Sequence, residues 1–376
     1  MKLSIVQDNL ARGLSVVGRA VSSKAALPVL SNILLRTRDA GLELTATNLE
    51  IGIKHWVPGK IDEDGEITLP ADLLAGIVAS IPNKSAIVEL ELLPDDRVHL
   101  VCGRFETHIK GMSADEFPQI PSAGERPTTR VAQKILRQAL GEVTFAAATE
   151  EARPILTGVL TRLEGDRMTL AAADNYRIAI TTIPTTTPAE DTSIVVPARS
   201  YAELERILGD SDDEVAVILA PTRNQVVFQV DGQDRTVLVS RLIDGQFPNY
   251  QQVLPKEHTT RATVDREELL RAVRPAALLT HKTTKIVKLH VGGESTAGIS
   301  VTAVSDLGDH QSEVDATIDG DGTTIAFNAD YLTQVLQNVD TQEFDIDLAG
   351  PLSPGVFRPH DGREYTHVVM PVRTAS

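Results

Sequence analysis

The amino-acid sequence predicts an α+β protein built from three tandem copies of one unit, each with two helices packed on antiparallel strands. Three observations carry that prediction. An amphipathic helix pattern recurs three times, a strand-and-turn pattern follows each copy of it, and a strand running into a second helix follows at a nearly constant offset. Self-similarity at a fixed period marks a repeat architecture and is sought before any local motif.

The helix pattern reads VQDNLARGLSVVGRAV from Val6, VAQKILRQALGEVTFAA from Val131 and VDREELLRAVRPAALL from Val264. Leu10, Leu136 and Leu269 hold equivalent places, with Leu14, Leu140 and Val273 four residues on. That spacing sets both residues of each pair on one helical face. Asp265, with Glu268 three residues later, marks a helix start. The strand-and-turn pattern is LELTATNLEIGI around Asn48, MTLAAADNYRIAI around Asp174 and GISVTAVSDLGDH around Ser305. The strand-into-helix pattern is ITLPADLLAGIVASI at Pro70, IVVPARSYAELERIL at Pro197 and IAFNADYLTQVL at Asn328.

MSADEFPQIP and LIDGQFPNYQQVLP close the first two copies with Phe117 and Phe247 in register, and HVVMPVR closes the third. Between the helices, IVELELL, RVHLVCG, VAVILA and QVVFQV alternate with the period of half-buried strands. The polar, proline-bearing stretches at 121–129 and 254–262 have linker composition. The domains are therefore expected at 1–122, 129–254 and 255–376.

Composition bounds the function classes. A hydrophobic share of 42% in 376 residues suffices for several packed cores, and with only 4% aromatic residues those cores must be aliphatic. A single cysteine, Cys102, excludes a disulfide framework or a thiolate-rich zinc site and fits a reducing compartment. Neither an export signal nor a membrane-length apolar run is present, so a cytoplasmic protein is expected. The net charge of −16 argues against nucleic acid on its face. Phosphate binding depends on local clusters, however, and each leading helix carries basic residues: Arg12 and Arg19, Lys134 and Arg137, then Arg266, Arg271 and Arg274. The same residues would suit ordinary solvated helix faces.

Motifs for chemistry are missing. The sequence holds no GxSxG elbow, no Walker GxxxxGK[ST] and no GxGxxG opening a helix. DLGDH (306–310) and HDGREYTH (360–367) offer His and carboxylates without a metal-ligand spacing. No catalytic residue, metal site or cofactor is expected.

In combination, LPVLSNILL (27–35), RPILTGVL (153–160), DNYRIAI (174–180), DGQFPNYQQVLP (244–255) and VVMPVR (368–373) resemble the beta sliding clamps of bacterial DNA polymerase III along the whole chain. The resemblance implies three clamp domains per chain and a head-to-tail homodimeric ring around duplex DNA. It implies a non-catalytic processivity factor at the nucleoid, bound by the DNA polymerase III alpha subunit, the clamp loader and other proteins with clamp-binding motifs. Lys24, Arg153, Arg199 and Lys256 match positions that approach DNA, whereas Asp72 stands where some clamps carry a basic residue. The partner-peptide pocket implied is Leu156, Asp174, Tyr176, Arg177, Ile178, Pro248, Val253, Asn328, Tyr331, Val368, Val369, Met370, Pro371, Val372 and Arg373. Ala173 and Asn175 flank Asp174 where family members often have Thr and Gly; Asn tolerates a left-handed turn there. The closing contact is placed at Phe105 and Ile109 against Leu278 and Leu279. A three-repeat scaffold that binds protein without encircling DNA is the alternative.

Overall fold

The computed structural model describes residues 1–22, 27–38, 41–120, 126–150, 152–231, 235–280, 284–293 and 298–373. The first copy of the repeat runs β1 (Lys2–Val6), α1 (Gln7–Val17), β2 (Asn32–Arg38), β3 (Gly41–Thr47), β4 (Ile51–Pro58), β5 (Lys60–Glu63), β6 (Glu66–Pro70), α2 (Ala71–Ala79), β7 (Ile87–Leu92), β8 (Arg97–Cys102) and β9 (Phe105–Lys110). The second runs β10 (Thr129–Ala132), α3 (Gln133–Val143), β11 (Gly158–Ala173), β12 (Arg177–Pro197), α4 (Ala198–Ile207), β13 (Glu214–Leu219), β14 (Gln225–Val230) and β15 (Thr236–Arg241). The third runs β16 (Thr260–Asp265), α5 (Arg266–Thr280), β17 (Ile286–Val291), β18 (Ile299–Ser305), β19 (Gly308–Val314), β20 (Ala316–Gly320), β21 (Thr323–Asn328), α6 (Ala329–Asn338), β22 (Glu343–Leu348), β23 (Gly355–Pro359) and β24 (Tyr365–Val369). The order of elements is the same three times; β11 and β12 are unbroken where the other copies interrupt their strands.

The amphipathic spacing becomes burial. Leu10 and Leu14 of α1, Leu136 and Leu140 of α3, and Leu269 and Val273 of α5 are all inside. In α1 the stripe includes Gly13, where a Cβ would fall 2.6 Å from the Val57 side chain, so the helix lies unusually close to β4. Asp265 Oδ1 accepts the Glu268 amide at 2.8 Å and starts α5, and Asn328 does the same for α6 through Asp330.

The chain forms two compact units that do not follow the repeat boundaries. One comprises Met1–Lys134, Thr185–Thr187 and Arg206–Leu242; the other comprises Ile135–Pro184, Pro188–Glu205 and Ile243–Ser376. The reason is strand pairing at each seam between copies. In the first unit the order is β10-β13-β14-β15-β4-β3-β2-β6, with a separate sheet β5-β1-β7-β8-β9. The last strand of the second copy, β15, thus pairs antiparallel with β4 of the first, Leu238 opposite Ile53, and Arg235 lies 4.9 Å over the Trp56 ring. In the second unit the order is β20-β16-β22-β23-β24-β12, with a separate sheet β19-β18-β17-β21. There β24, the last strand of the third copy, pairs with β12 of the second, His367 opposite Ala179. Both seams use the same two strands of the repeat in the same register. Among the described residues that leaves β9 and β19 as edges, each bonded on one side only.

The second seam encloses polar groups. Glu142 of α3 is buried and accepts from Arg363, from Gln138 and from Thr181, while the Tyr365 hydroxyl donates to its carbonyl. Burial raises the Glu142 pKa against the opposing pull of Arg363. His367 is fully buried, stacked on Phe145 at 5.4 Å, and neither ring nitrogen has a hydrogen-bond partner. Burial, then the charge of Arg177, lowers its pKa from 6.5 to about 3. The folded state therefore excludes the His367 proton that the unfolded chain takes up. Its contribution to stability is complete above about pH 6.5 and is lost as pH falls below that value. His360, whose pKa is raised chiefly by its hydrogen bond to Asp345, acts with the opposite sign but is exposed. The first seam places Leu238 where the second has His367. His367→Leu should flatten the dependence of melting temperature on pH between about 5 and 6.5, as thermal melts would show.

Candidate functional site

The site is built on the turn between β11 and β12. Asp174 holds it by accepting the backbone amides of Tyr176 (2.7 Å) and Arg177 (2.9 Å) on Oδ1. Asn48 makes the same bonds to Glu50 and Ile51 in the first copy. The turn thus depends on the side chain at its first position. A left-handed Asn175 is not used: the described non-glycine residues at positive φ include Leu49, its counterpart in the first copy, but not Asn175.

Arg177 is buried at the centre of the seam. Its Nε donates to Asp174 Oδ2 at 3.1 Å, its Nη2 to the Phe145 carbonyl at 2.7 Å, and its Nη1 to Gln334 of α6. The guanidinium also lies 4.4 Å over the Tyr331 ring. Tyr331 in turn stacks against Tyr176, with centroids 6.4 Å apart. Helix α6 of the third copy and the turn of the second are thereby fixed to each other, and the Met370 amide donates to the Tyr176 carbonyl at 2.8 Å.

In front of this frame opens a cleft of 280 Å³. Its floor is apolar: Leu156, Ile178, Phe247 and Val368 belong to one buried cluster, with Ile155, Tyr250 and Leu254 packed against it. Exposed Tyr176, Val253 and Met370 form its mouth. Adaptable apolar walls with a few polar groups at the rim suit a short peptide with hydrophobic anchors.

The expected pocket residues separate into two groups. Leu156, Asp174, Tyr176, Arg177, Ile178, Pro248, Val253, Val368 and Met370 line the cleft. Asn328, Tyr331, Val369, Pro371, Val372 and Arg373 do not. Asn328 caps α6, Tyr331 buttresses Tyr176 and Arg177, and Val369 is fully buried opposite Arg177 in the β24–β12 ladder. The Val372 amide donates to the Ala326 carbonyl, Pro371 is half-buried and Arg373 is exposed. Arg153, expected at DNA, is exposed and also lines the cleft. Phe247, Asn249 and Tyr250 also line the cleft and were not anticipated there. The register of Phe247 with Phe117 was the available signal.

Of the remaining DNA candidates, Arg199 at the start of α4 and Lys256 are exposed, and Lys24 lies outside the described residues. Arg266 is removed from the basic face, because its guanidinium donates to the Leu336 and Thr341 carbonyls. Ile109 is 2% exposed, its side chain already inside the first copy's sheet; Phe105 and Leu278 are 38% and 79% exposed, and Leu279 is half-buried.

Residues 1–121, 130–249 and 251–373 match the N-terminal, central and C-terminal domains of the DNA polymerase III beta subunit. The chain belongs to this family. It is 35% identical to the beta sliding clamp of Synechococcus elongatus and 26% identical to that of Staphylococcus aureus, over the full length of both chains in each case. Among solved structures it is similar to the Bacillus subtilis DNA polymerase sliding clamp (27% identity, TM-score 0.92). It is also similar to a Pseudomonas aeruginosa sliding clamp solved bound to griselimycin (28% identity, TM-score 0.91). Both likenesses cover all of either chain.

Because Arg177 ties the turn, Phe145 and helix α6 together, Arg177→Lys cannot replace its planar fork. The substitution should cost about 2–4 kcal/mol of stability, measured by denaturant unfolding.

Proposed function

We propose that this member of the DNA polymerase III beta subunit family works as a sliding clamp, a ring of two copies joined head to tail through β9 of one and β19 of the other. The observation that carries this is the pair of leftover edges. Both internal seams join the last strand of one copy to the strand after the turn of the copy before, and β9 and β19 are the two strands of those kinds left without a mate among the described residues. A head-to-tail contact between unlike surfaces closes when its rotation completes a circle. Carrying the seam register across sets Phe105 opposite Ser312 and Ile109 opposite Gly308 of a second copy. Leu279 comes within 3.9 Å of the space a Cβ at Gly308 would fill, so the Phe105 face of β9 meets the Leu278–Leu279 end of α5. Ile109 contributes its backbone to the ladder, its side chain being already buried.

Six domains, 1–122, 129–254 and 255–376 from each chain, would enclose duplex DNA. Arg199, Lys256 and Lys24 would touch phosphates, which position a protein without specifying sequence. The acidic remainder of the surface keeps that hold weak enough to slide. The ring is non-catalytic and confers processivity by tethering: the DNA polymerase III alpha subunit, the clamp loader and other proteins with clamp-binding motifs would compete for the cleft at Tyr176 and Met370. Such a protein acts in the cytoplasm, at the nucleoid. Among the described residues, no helix is long and apolar enough to cross a membrane.

Light scattering should give a dimer, and Phe105→Arg should give a monomer. Once loaded, the dimer should stay on nicked circular DNA and leave when that DNA is cut. A monomer at high concentration that ignores DNA topology would instead favour the scaffold. For the cleft, Met370→Ala with Tyr176→Ala should weaken binding of a fluorescent peptide with apolar anchors at least about tenfold.

A further inference from the structure

One group among the described residues can converge on a metal ion: His99 of β8 with Glu106 and His108 of β9. Glu106 and His108 are two residues apart on one strand and so share a face. His99 stands directly opposite His108 in the ladder. That face is the solvated one; Val98, Leu100 and Ile109 fill the other. His99 Nε2 lies 2.8 Å from Glu106 Oε1, and the two imidazoles stack with centroids 4.5 Å apart and 9° between planes. The candidate ligand atoms of all three residues lie within 4.8 Å of one another. Zinc–nitrogen bonds of about 2.0–2.1 Å place tetrahedral ligands about 3.3 Å apart. Modest rotation of these surface side chains closes that difference. Two imidazoles and a carboxylate are a borderline donor set that suits zinc, and three protein ligands leave a fourth position open.

The seam register supplies that fourth ligand. His108 holds the place of Val239, since Arg97↔Lys110 and Cys102↔Phe105 correspond to Gln225↔Arg241 and Val230↔Thr236. Val239 faces Gly52 at the first seam, and Val368 faces Ile178 at the second. The residue of β19 in that place is Asp309, which faces Val304 across its hairpin as Gly52 faces Thr47 and Ile178 faces Ala173. Val239 and Val368 are 4% and 1% exposed, so the internal seams hold a dry apolar contact at this position. Only the edges that must open to admit DNA carry His and Asp there.

We propose that His99, Glu106 and His108 bind a divalent transition-metal ion of the zinc class, and that Asp309 of a second copy completes its coordination and fastens the joint. The Asp309 part rests on the head-to-tail closure proposed above; the three-residue site does not. Any proton held by the imidazoles leaves to solvent as the ion binds.

The test is calorimetric titration of the full chain with Zn²⁺, with the dimer dissociation constant measured by sedimentation in Zn²⁺ and in EDTA. One zinc per chain is expected, with binding weakened at least about tenfold by His99→Ala or by His108→Ala. Zinc should tighten the dimer by at least about tenfold, and Asp309→Asn should remove that tightening while the chain still takes up zinc. Zinc uptake that is absent, or unchanged in His108→Ala, overturns the metal site. A dimer in EDTA that zinc leaves unmoved overturns the Asp309 ligand and leaves the closure standing. A protein monomeric with or without zinc overturns the closure, and with it Asp309, while the uptake by the histidine variants decides the three-residue site separately. Circular dichroism of each variant separates loss of a ligand from loss of fold.

Discussion

Backbone pairing across the seams is the constraint on which the rest of this molecule depends. No copy of the repeat is closed by its own strands: β4 is completed by β15, and β12 by β24. An open strand edge is a row of unsatisfied donors and acceptors, a standing invitation to pair. Within the chain, each invitation is answered by the next copy. This explains why the compact units cut through the second repeat instead of falling between repeats. Its last strands pair into the first copy's sheet, while its long hairpin and the end of α3 join the third.

The same constraint shapes the cleft. A pairing strand fixes register, and register brings Val368 beside Ile178 and the Met370 amide onto the Tyr176 carbonyl. Arg177 then locks what the ladder aligns, using a buried guanidinium to hold the turn, the end of α3 and helix α6 at once. Burying such a charge is costly unless each N–H has a partner. Asp174, Gln334 and Phe145 supply those partners, and two aromatic rings cover the remaining face. The apolar floor is consequently held open by a polar frame standing behind it.

Much of this was legible in the sequence, because it depends on spacing along one chain. The heptad-like stripe of Leu10 and Leu14, the Asp265–Glu268 start and the alternation of RVHLVCG depend on neighbours close in sequence, and all appear as helices and strands. The turn at Asp174–Asn175 was legible too, but it was expected through a left-handed Asn175, whereas the Asp174 side chain holds it. What depends on partners distant in sequence was not legible. Val369 and Tyr331 match motif positions, yet one faces the core and the other supports the cleft from behind. Arg153 matches a position that approaches DNA in the family, and only the folded chain shows that it also lines the cleft. His99 and His108 are nine positions apart with no ligand spacing between them. Only the β8–β9 ladder sets them face to face.

The three copies keep a turn of the same length but fill it with different residues. Ser305, Asp306, Leu307 and Gly308 stand where the second copy has Asp174, Asn175, Tyr176 and Arg177, so neither the buried guanidinium nor the exposed tyrosine has a counterpart. The first copy has Asn48 to Ile51 there, and a hollow on its sheet is lined by the charged Arg36, Glu43 and Lys54 as well as by Leu34, Phe117 and Ile120. The cleft framed by Tyr176, Arg177 and Met370 therefore belongs to the second and third copies, once per chain. A pair of chains offers two berths in all, so traffic among client proteins becomes a matter of handover: a newcomer must wait for, or displace, whichever one is already moored.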